Sequence, residues 1–374
     1  MNEKDILSRI PFVHPDPMTF FTCVPKCLRL AIYGAGKAGE IFHSFVKKNR
    51  PDLEVRCYIS SFESGQKASL PVILPHDKEA LEDIDLIVVC SYKHDEIIGV
   101  LKYLGISKYI LFFSSPKYSL DYINEHKRKF SDAKKILFDS DDKVLFDLLL
   151  RYSTDRNVCL QEPQGIQEAL YARNFKKHYT DFINFDAIET VFDCGSHTGD
   201  TAEIFLNTFS NIKKVHSFDI SFTKEKIISH RPSLKNDSRF EFHPVGLSDR
   251  NEVCYLCPDG DDGGGNRLSS DSVYNQPVQC TSLDIFVESN GIDRVDYIKM
   301  DIEGAETKAL LGCRNTISRF RPQLSICSYH GLDDFWRIPL TMKRLCKNYI
   351  FRVGHYSPSL VETVIYGIPR EIYS

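Results

Sequence analysis

Thr190-Val-Phe-Asp193-Cys-Gly195-Ser196-His197-Thr-Gly199-Asp200-Thr201 runs from an apolar strand through a glycine-rich turn into the start of a helix. The glycines let a ligand approach the backbone at the helix N-terminus, which marks a nucleotide-like site. Twenty residues beyond Gly199, Val215-His-Ser-Phe-Asp219 is a second strand ending in a carboxylate. In dinucleotide folds that position accepts hydrogen bonds from a ribose diol, so Asp219 is the expected ribose ligand. Asp193 separates two ligand types. A carboxylate so near the turn repels a pyrophosphate but can help hold the ammonium and sulfonium of S-adenosylmethionine, directly or through water.

Working outward, strands are expected near residues 240–245, 297–301 and 323–328, with helices between them, so this part reads as a doubly wound α/β sheet. Tyr349 to Gly354 and Glu362 to Gly367 are joined by a turn too short for a crossover helix, and predict an antiparallel hairpin at the sheet edge. Asp259-Gly-Asp-Asp-Gly-Gly-Gly-Asn266 is expected as a mobile loop or the tip of an inserted hairpin, either a plain turn or a substrate lid. Upstream, strands at Leu28–Tyr33, Val55–Ile59, Asp85–Cys90 and Tyr109–Phe113 alternate with helical patterns and predict a smaller parallel sheet. The expected domains are an extension over 1–25, a Rossmann-like unit over 26–118, a helical bridge over 119–185 and a catalytic domain over 186–374.

Val295-Asp-Tyr-Ile-Lys299-Met-Asp301-Ile-Glu303-Gly304-Ala-Glu306 puts carboxylates at the carboxyl end of a strand, the edge where open α/β sheets bind ligands. Asp301 and Glu303 are candidates to orient a substrate, hold the donor's amino group or bind a divalent cation. No metal site is predicted. Glu306 reads either as part of this site or as a helix start that complements the macrodipole.

Together, Asp193 to Thr201, Lys299 to Glu306, and Tyr329-His330 with Asp334-Phe-Trp336 resemble the FkbM-type methyltransferases, over roughly residues 160 to 368 and including Gly354-His355-Tyr356 and Glu362-Thr363. The resemblance implies a class I methyltransferase fold, S-adenosylmethionine as donor, and O-methylation of a hydroxyl on a sugar, glycan precursor or related small molecule. It implies donor contacts from Asp193, Gly195, Ser196, His197, Gly199, Asp200, Thr201, Asp219, Asp301 and Glu303. His197 stands where many methyltransferases have glycine, and Asp219 where glutamate is common. The chemistry is an in-line attack of an acceptor oxygen on the sulfonium methyl, helped by removal of the hydroxyl proton. His330 is the candidate base, with Asp301 as its rival; Lys299 and Trp336 are expected to frame the site.

In the N-terminal unit, Gly34-Ala-Gly36-Lys-Ala-Gly39 has the form of a dinucleotide fingerprint, but its second strand ends in Ser60-Ser61 rather than an acid. A sugar-nucleotide or recognition role is favoured over hydride transfer, with a structural or dimerising role as the other reading. Two other functions compete for the whole chain: an NAD-dependent nucleotide-sugar oxidoreductase, and a two-domain ligand-binding protein without turnover. An oxidoreductase needs a paired acid and base, commonly Tyr-x-x-x-Lys, and none follows the N-terminal turn at a persuasive position.

Composition agrees with a globular enzyme: of 374 residues 42% are apolar and 26% charged, and the net charge of −4 provides no basic field for nucleic acid or anionic membranes. No apolar run reaches the length of a membrane span and no secretory signal is evident, so a cytoplasmic protein with reduced cysteines is expected. The twelve cysteines include Cys254-Tyr-Leu-Cys257, which lacks a second pair at zinc-site spacing, although Cys280 lies downstream. A homo-oligomer is compatible with the sequence.

Overall fold

The computed structural model describes residues 13–14, 24–91, 94–112, 118, 120–154, 177–258, 265–356 and 361–373. These fall into two compact units. One holds the described residues up to Tyr118 with those of 148–154; the other holds 120–147 and everything described from 177 onward.

The first unit contains strands β1 (Val13–His14), β2 (Arg29–Tyr33), β3 (Glu54–Ile59), β4 (Gly65–Lys67), β5 (Leu70–Ile73), β6 (Leu86–Val89) and β7 (Tyr109–Phe112), with helices α1 (Lys37–Asn49), α2 (Lys78–Glu82) and α3 (His94–Tyr103). Their order is β1-β7-β6-β2-β3-β5-β4, parallel except for the β4–β5 hairpin. Alternation along β2 sends Ala31 and Tyr33 into one apolar cluster and Leu30 and Ile32 into the other, so both faces of the sheet are buried. Gly34, at φ +123°, has no room for a Cβ, which would sit 2.3 Å from the Cys90 carbonyl oxygen; around Gly36 nothing lies within 4 Å.

The second unit begins with α4 (Leu120–Lys135) and the first half of α5 (Ser140–Thr154), whose residues 148–154 belong to the first unit; both helices are drawn from the stretch expected as a bridge. Residues 155–176 lie outside the described residues, and 178–182 form turns. The main sheet has strands β8 (Thr190–Cys194), β9 (Lys214–Phe218), β10 (Phe240–His243), β15 (Tyr297–Met300), β16 (Gln323–Cys327), β17 (Tyr349–His355) and β18 (Thr363–Pro369), in the order β10-β9-β8-β15-β16-β18-β17. Between β10 and β15 the chain forms β11 (Gly246–Leu247), β12 (Glu252–Cys257), β13 (Arg267–Ser269) and β14 (Pro277–Thr281), a separate four-stranded sheet that the sequence did not predict as such. β12 and β13 pair as an antiparallel hairpin; residues 259–264 of the predicted Gly-rich loop lie outside the described residues. Helices α6 (Asp200–Thr208), α7 (Lys224–His230), α8 (Leu283–Ser289), α9 (Glu306–Leu311), α10 (Arg314–Phe320) and α11 (Asp334–Leu345) complete the unit.

All pairs in the main sheet are parallel except β16–β18 and β17–β18, so the terminal hairpin sits at the edge as expected. Strand order reverses beside β8: the chain goes first to β9 and later to β15, and the crevice at the carboxyl ends of these strands is the topological switch point. Phe205, Phe209 and Tyr297 pack edge-on and stacked beneath it with ring centroids 5.3–5.9 Å apart. Burying a side chain such as Phe205 contributes roughly 1.5–3 kcal/mol, so the strand ends rest on a close-packed base. On the far side, α4 packs on α11 through Phe130–Phe335 and Tyr122–His126–Trp336 contacts. Among the described residues no helix is long and apolar enough to cross a membrane.

Candidate functional site

A cavity of about 320 Å³ opens at the switch point, within the size range of small-molecule sites. Gly195, His197, Asp200, Thr201, Asp219, Asp301 and Glu303 line it; Asp193, Ser196, Gly199 and His330 do not. The turn after β8 and the end of β15 approach so closely that a Cβ on Gly195, at φ +83°, would fall 1.7 Å from the Asp301 carbonyl oxygen. Only glycine fits there, and the close approach builds the cavity floor.

Asp219 is held from two sides. One carboxylate oxygen accepts from the His197 N–H at 2.8 Å and the other from the Ser221 N–H at 2.7 Å. Burial pushes the Asp219 carboxyl above its usual range, and these two N–H groups oppose the shift. Each oxygen keeps a lone pair for a ligand. His197 adopts φ +43° to deliver its N–H, and its Nε2 is buried on the cavity wall with no hydrogen-bond partner among the described residues. Asn266, just ahead of β13, donates to the Ser221 hydroxyl at 3.1 Å, tying the small sheet to the same rim.

Asp193 lies behind this surface. It is fully buried, accepts from the Thr201 hydroxyl at 2.8 Å, and pairs with Lys299 Nζ at 3.2 Å. Burial pushes the Asp193 carboxyl up, opposed by Lys299; burial alone would lower Lys299, but Asp193 and Asp301 hold its proton firmly. The two shifts conflict over who yields the proton, and the 3.2 Å geometry between a fully sealed carboxylate and amine favours the charged pair. Lys299 also donates to the Gly195 carbonyl at 2.5 Å and faces the cavity. Lys299, expected only to frame the site, therefore carries the positive charge behind the turn, with Asp193 as its counter-ion off the cavity wall.

Asp301 accepts from the Tyr179 hydroxyl at 2.5 Å and the Tyr329 hydroxyl at 3.2 Å. Burial alone would raise it, but His330 and Lys299 hold it well below the usual carboxylate range. His330 Nε2 lies 3.2 Å from Asp301 and 3.5 Å from Glu303, while Nδ1 lies 2.9 Å from Glu306. The ring N–H directions miss ideal hydrogen-bond angles, so these are charge contacts. Burial would lower His330, yet three carboxylates raise it far above the ordinary imidazole range. The structure thus places His330, the expected base, off the cavity wall with both ring nitrogens turned to carboxylates that favour its charged form. Glu306, fully buried, accepts from the Ile302 N–H at 2.9 Å and the Gly304 N–H at 3.0 Å and so ties the loop of Glu303 and Gly304, both at positive φ.

Residues 193–353 match the model of the methyltransferase FkbM domain. Over that stretch the chain is similar to the FkbM methyltransferases. The match spans the glycine turn, Asp219, the Asp301 cluster and His330. No curated protein matches the chain. Among solved structures, methyltransferase FkbM from Methylobacillus flagellatus KT superposes with a TM-score of 0.60 at 17% identity, covering 98% of this chain and 97% of that one. That likeness of fold extends beyond residues 193–353 to nearly the whole chain. Aeropyrum pernix fibrillarin with bound S-adenosyl-L-methionine is similar over 49% of this chain and 67% of its own, at 10% identity and a TM-score of 0.30.

Around the cavity, the sequence reading missed several lining residues. His178 and Tyr179 come from the stretch ahead of β8, where no periodicity or motif singled them out, and Tyr329 and Glu362 were noted only within the resemblance. Asp301, Glu306 and His330 also have the composition of a cation site, their ligand atoms within 4.8 Å of one another, with Glu306 and His330 off the cavity wall. A second trio, His216, Glu241 and His243, sits on β9 and β10; its imidazoles are 3.1 Å apart and Lys214 pairs with Glu241 at 2.8 Å. Cys254 and Cys257, three apart on β12, project to opposite faces, so the CxxC is not a zinc half-site. Ten described cysteines are free.

Proposed function

We propose that the chain is an S-adenosylmethionine-dependent O-methyltransferase acting on a hydroxyl of a sugar, glycan precursor or related small molecule, with catalysis in the domain over 186–374. The observation that carries this reading is Asp219: a carboxylate at the end of the second strand, pinned by two backbone N–H groups with its free lone pairs toward the cavity, suits a ribose diol. The orphaned His197 Nε2 and the glycine floor at Gly195 suit a polar nucleoside ligand pressed against the turn. Asp200 and Thr201, at the start of α6, and Glu303 complete the donor side, with Asp301 at its junction with the acceptor side. The methyltransferase domain match argues for a methyl donor over a dinucleotide. When bound, S-adenosylmethionine supplies an activated methyl group for attack by an acceptor oxygen. The sugar or glycan acceptor and a cytoplasmic setting belong to the same reading; the free cysteines are compatible with a reducing compartment.

Calorimetric titration with S-adenosylmethionine, S-adenosylhomocysteine and NAD(H), on wild type and Asp219→Ala, tests the proposal. Binding of the first two, lost in Asp219→Ala, is the expected result. Binding of NAD(H) alone would replace the methyltransferase with an oxidoreductase.

A further inference from the structure

Methyl transfer to a hydroxyl releases a proton, and His330 does not line the cavity where it is released. The same cavity contains another candidate that rests on the methyltransferase reading above. Glu362 lines the wall, and its carboxylate lies 3.1 Å from His178 Nε2. Glu362 has φ +61°, a conformation costly for a residue with a Cβ and found preferentially where surrounding structure over-determines it. That surrounding structure is present. The Tyr356 N–H donates to the Glu362 carbonyl at 3.1 Å, and the His178 ring stacks on Tyr179 at 3.7 Å and leans on Tyr356 at 5.1 Å. The strained backbone thus directs one carboxyl group to the cavity that Asp219, Lys299 and Asp301 also line.

We propose that Glu362, oriented by His178, is the proton acceptor of the methyl transfer. Groups facing it are His178 and Tyr179 ahead of β8, Lys299, Asp301 and Glu303 at the end of β15, and Cys327, Tyr329 and His330 at the end of β16. Burial and the charges of Asp301 and Glu303 push the Glu362 carboxyl up to about 8, against His330 and Lys299. Burial lowers His178 to about 3, so its ring is neutral. In the protein alone at neutral pH Glu362 holds a proton. Beside a bound cation it loses that proton, which arms it as a base whose proton affinity is near the working pH. As the acceptor oxygen bonds to the methyl carbon, the carbon–sulfur bond breaks with its electron pair going to sulfur, and the hydroxyl proton passes to the Glu362 carboxylate. The carboxyl is then neutral again beside an uncharged thioether.

The test needs no acceptor. Proton release on binding is measured calorimetrically near neutral pH in buffers of different ionisation enthalpy, with S-adenosylmethionine and with S-adenosylhomocysteine, which lacks the sulfonium charge. The wild-type protein should release up to about one more proton with the first ligand than with the second. Glu362→Gln should bind both ligands but lose the excess, and Glu362→Asp should keep it with a shifted pH midpoint. Equal proton counts in wild type, an excess that persists in Glu362→Gln, or an unmoved midpoint in Glu362→Asp overturns the inference; should the Gln variant fail to fold, the Asp midpoint decides. Failure of both ligands to bind wild type would instead remove the donor reading itself.

Discussion

Lys299 Nζ lies 3.2 Å from the Asp193 carboxylate, and both side chains are sealed from solvent at the junction of β8 and β15. The two residues are directly paired in register, Lys299 opposite Asp193, so adjacent strands bring opposite charges together beneath the glycine turn. Removing one charge strands the other in a low-dielectric interior.

Lys299→Met and Asp193→Ala should therefore each lower stability by about 3–5 kcal/mol. The double variant should lose less than the sum, because neither charge is then left alone. Urea unfolding of the four proteins measures this; additive losses would mean that the pair is not coupled.

His330 should behave as a fixed cation. Its folded proton affinity is raised, so its stabilisation is complete below the ordinary imidazole value of 6.5 and declines as pH rises above it. The melting-temperature gap between wild type and His330→Gln should be wide near pH 6 and narrower at alkaline pH. A gap that widens with pH contradicts the three-carboxylate arrangement.

The glycines of the two turns should respond differently to alanine. At Gly195 a Cβ meets the Asp301 carbonyl at 1.7 Å with positive φ, so Gly195→Ala should abolish donor binding and destabilise the domain. At Gly36 φ is −86° and nothing stands within 4 Å, so Gly36→Ala should change stability by about 0.5 kcal/mol or less. Thermal melts with ligand titration compare them.

Much of this molecule is legible in its sequence. Both apolar-strand-to-glycine-turn signals sit where sheets bind ligands, and Asp219 at the end of its strand does line the cavity. Alternation and spacing are local, so they survive in one dimension. The roles inside the site were harder. Asp193 and His330 carry the residue types of ligand and base, yet both stand off the cavity wall, one paired with Lys299 and the other turned to Glu303 and Glu306.

By itself, the sequence determined the two α/β units, the terminal hairpin, the glycine turn and the acid at the second strand end, all consequences of periodicity and chain stereochemistry. Only the tertiary structure decided which groups hold protons and which face the cavity. Proton affinity depends on burial and on charges brought close from distant positions; His178 and Glu362 are separated by most of the domain in sequence and by 3.1 Å in space.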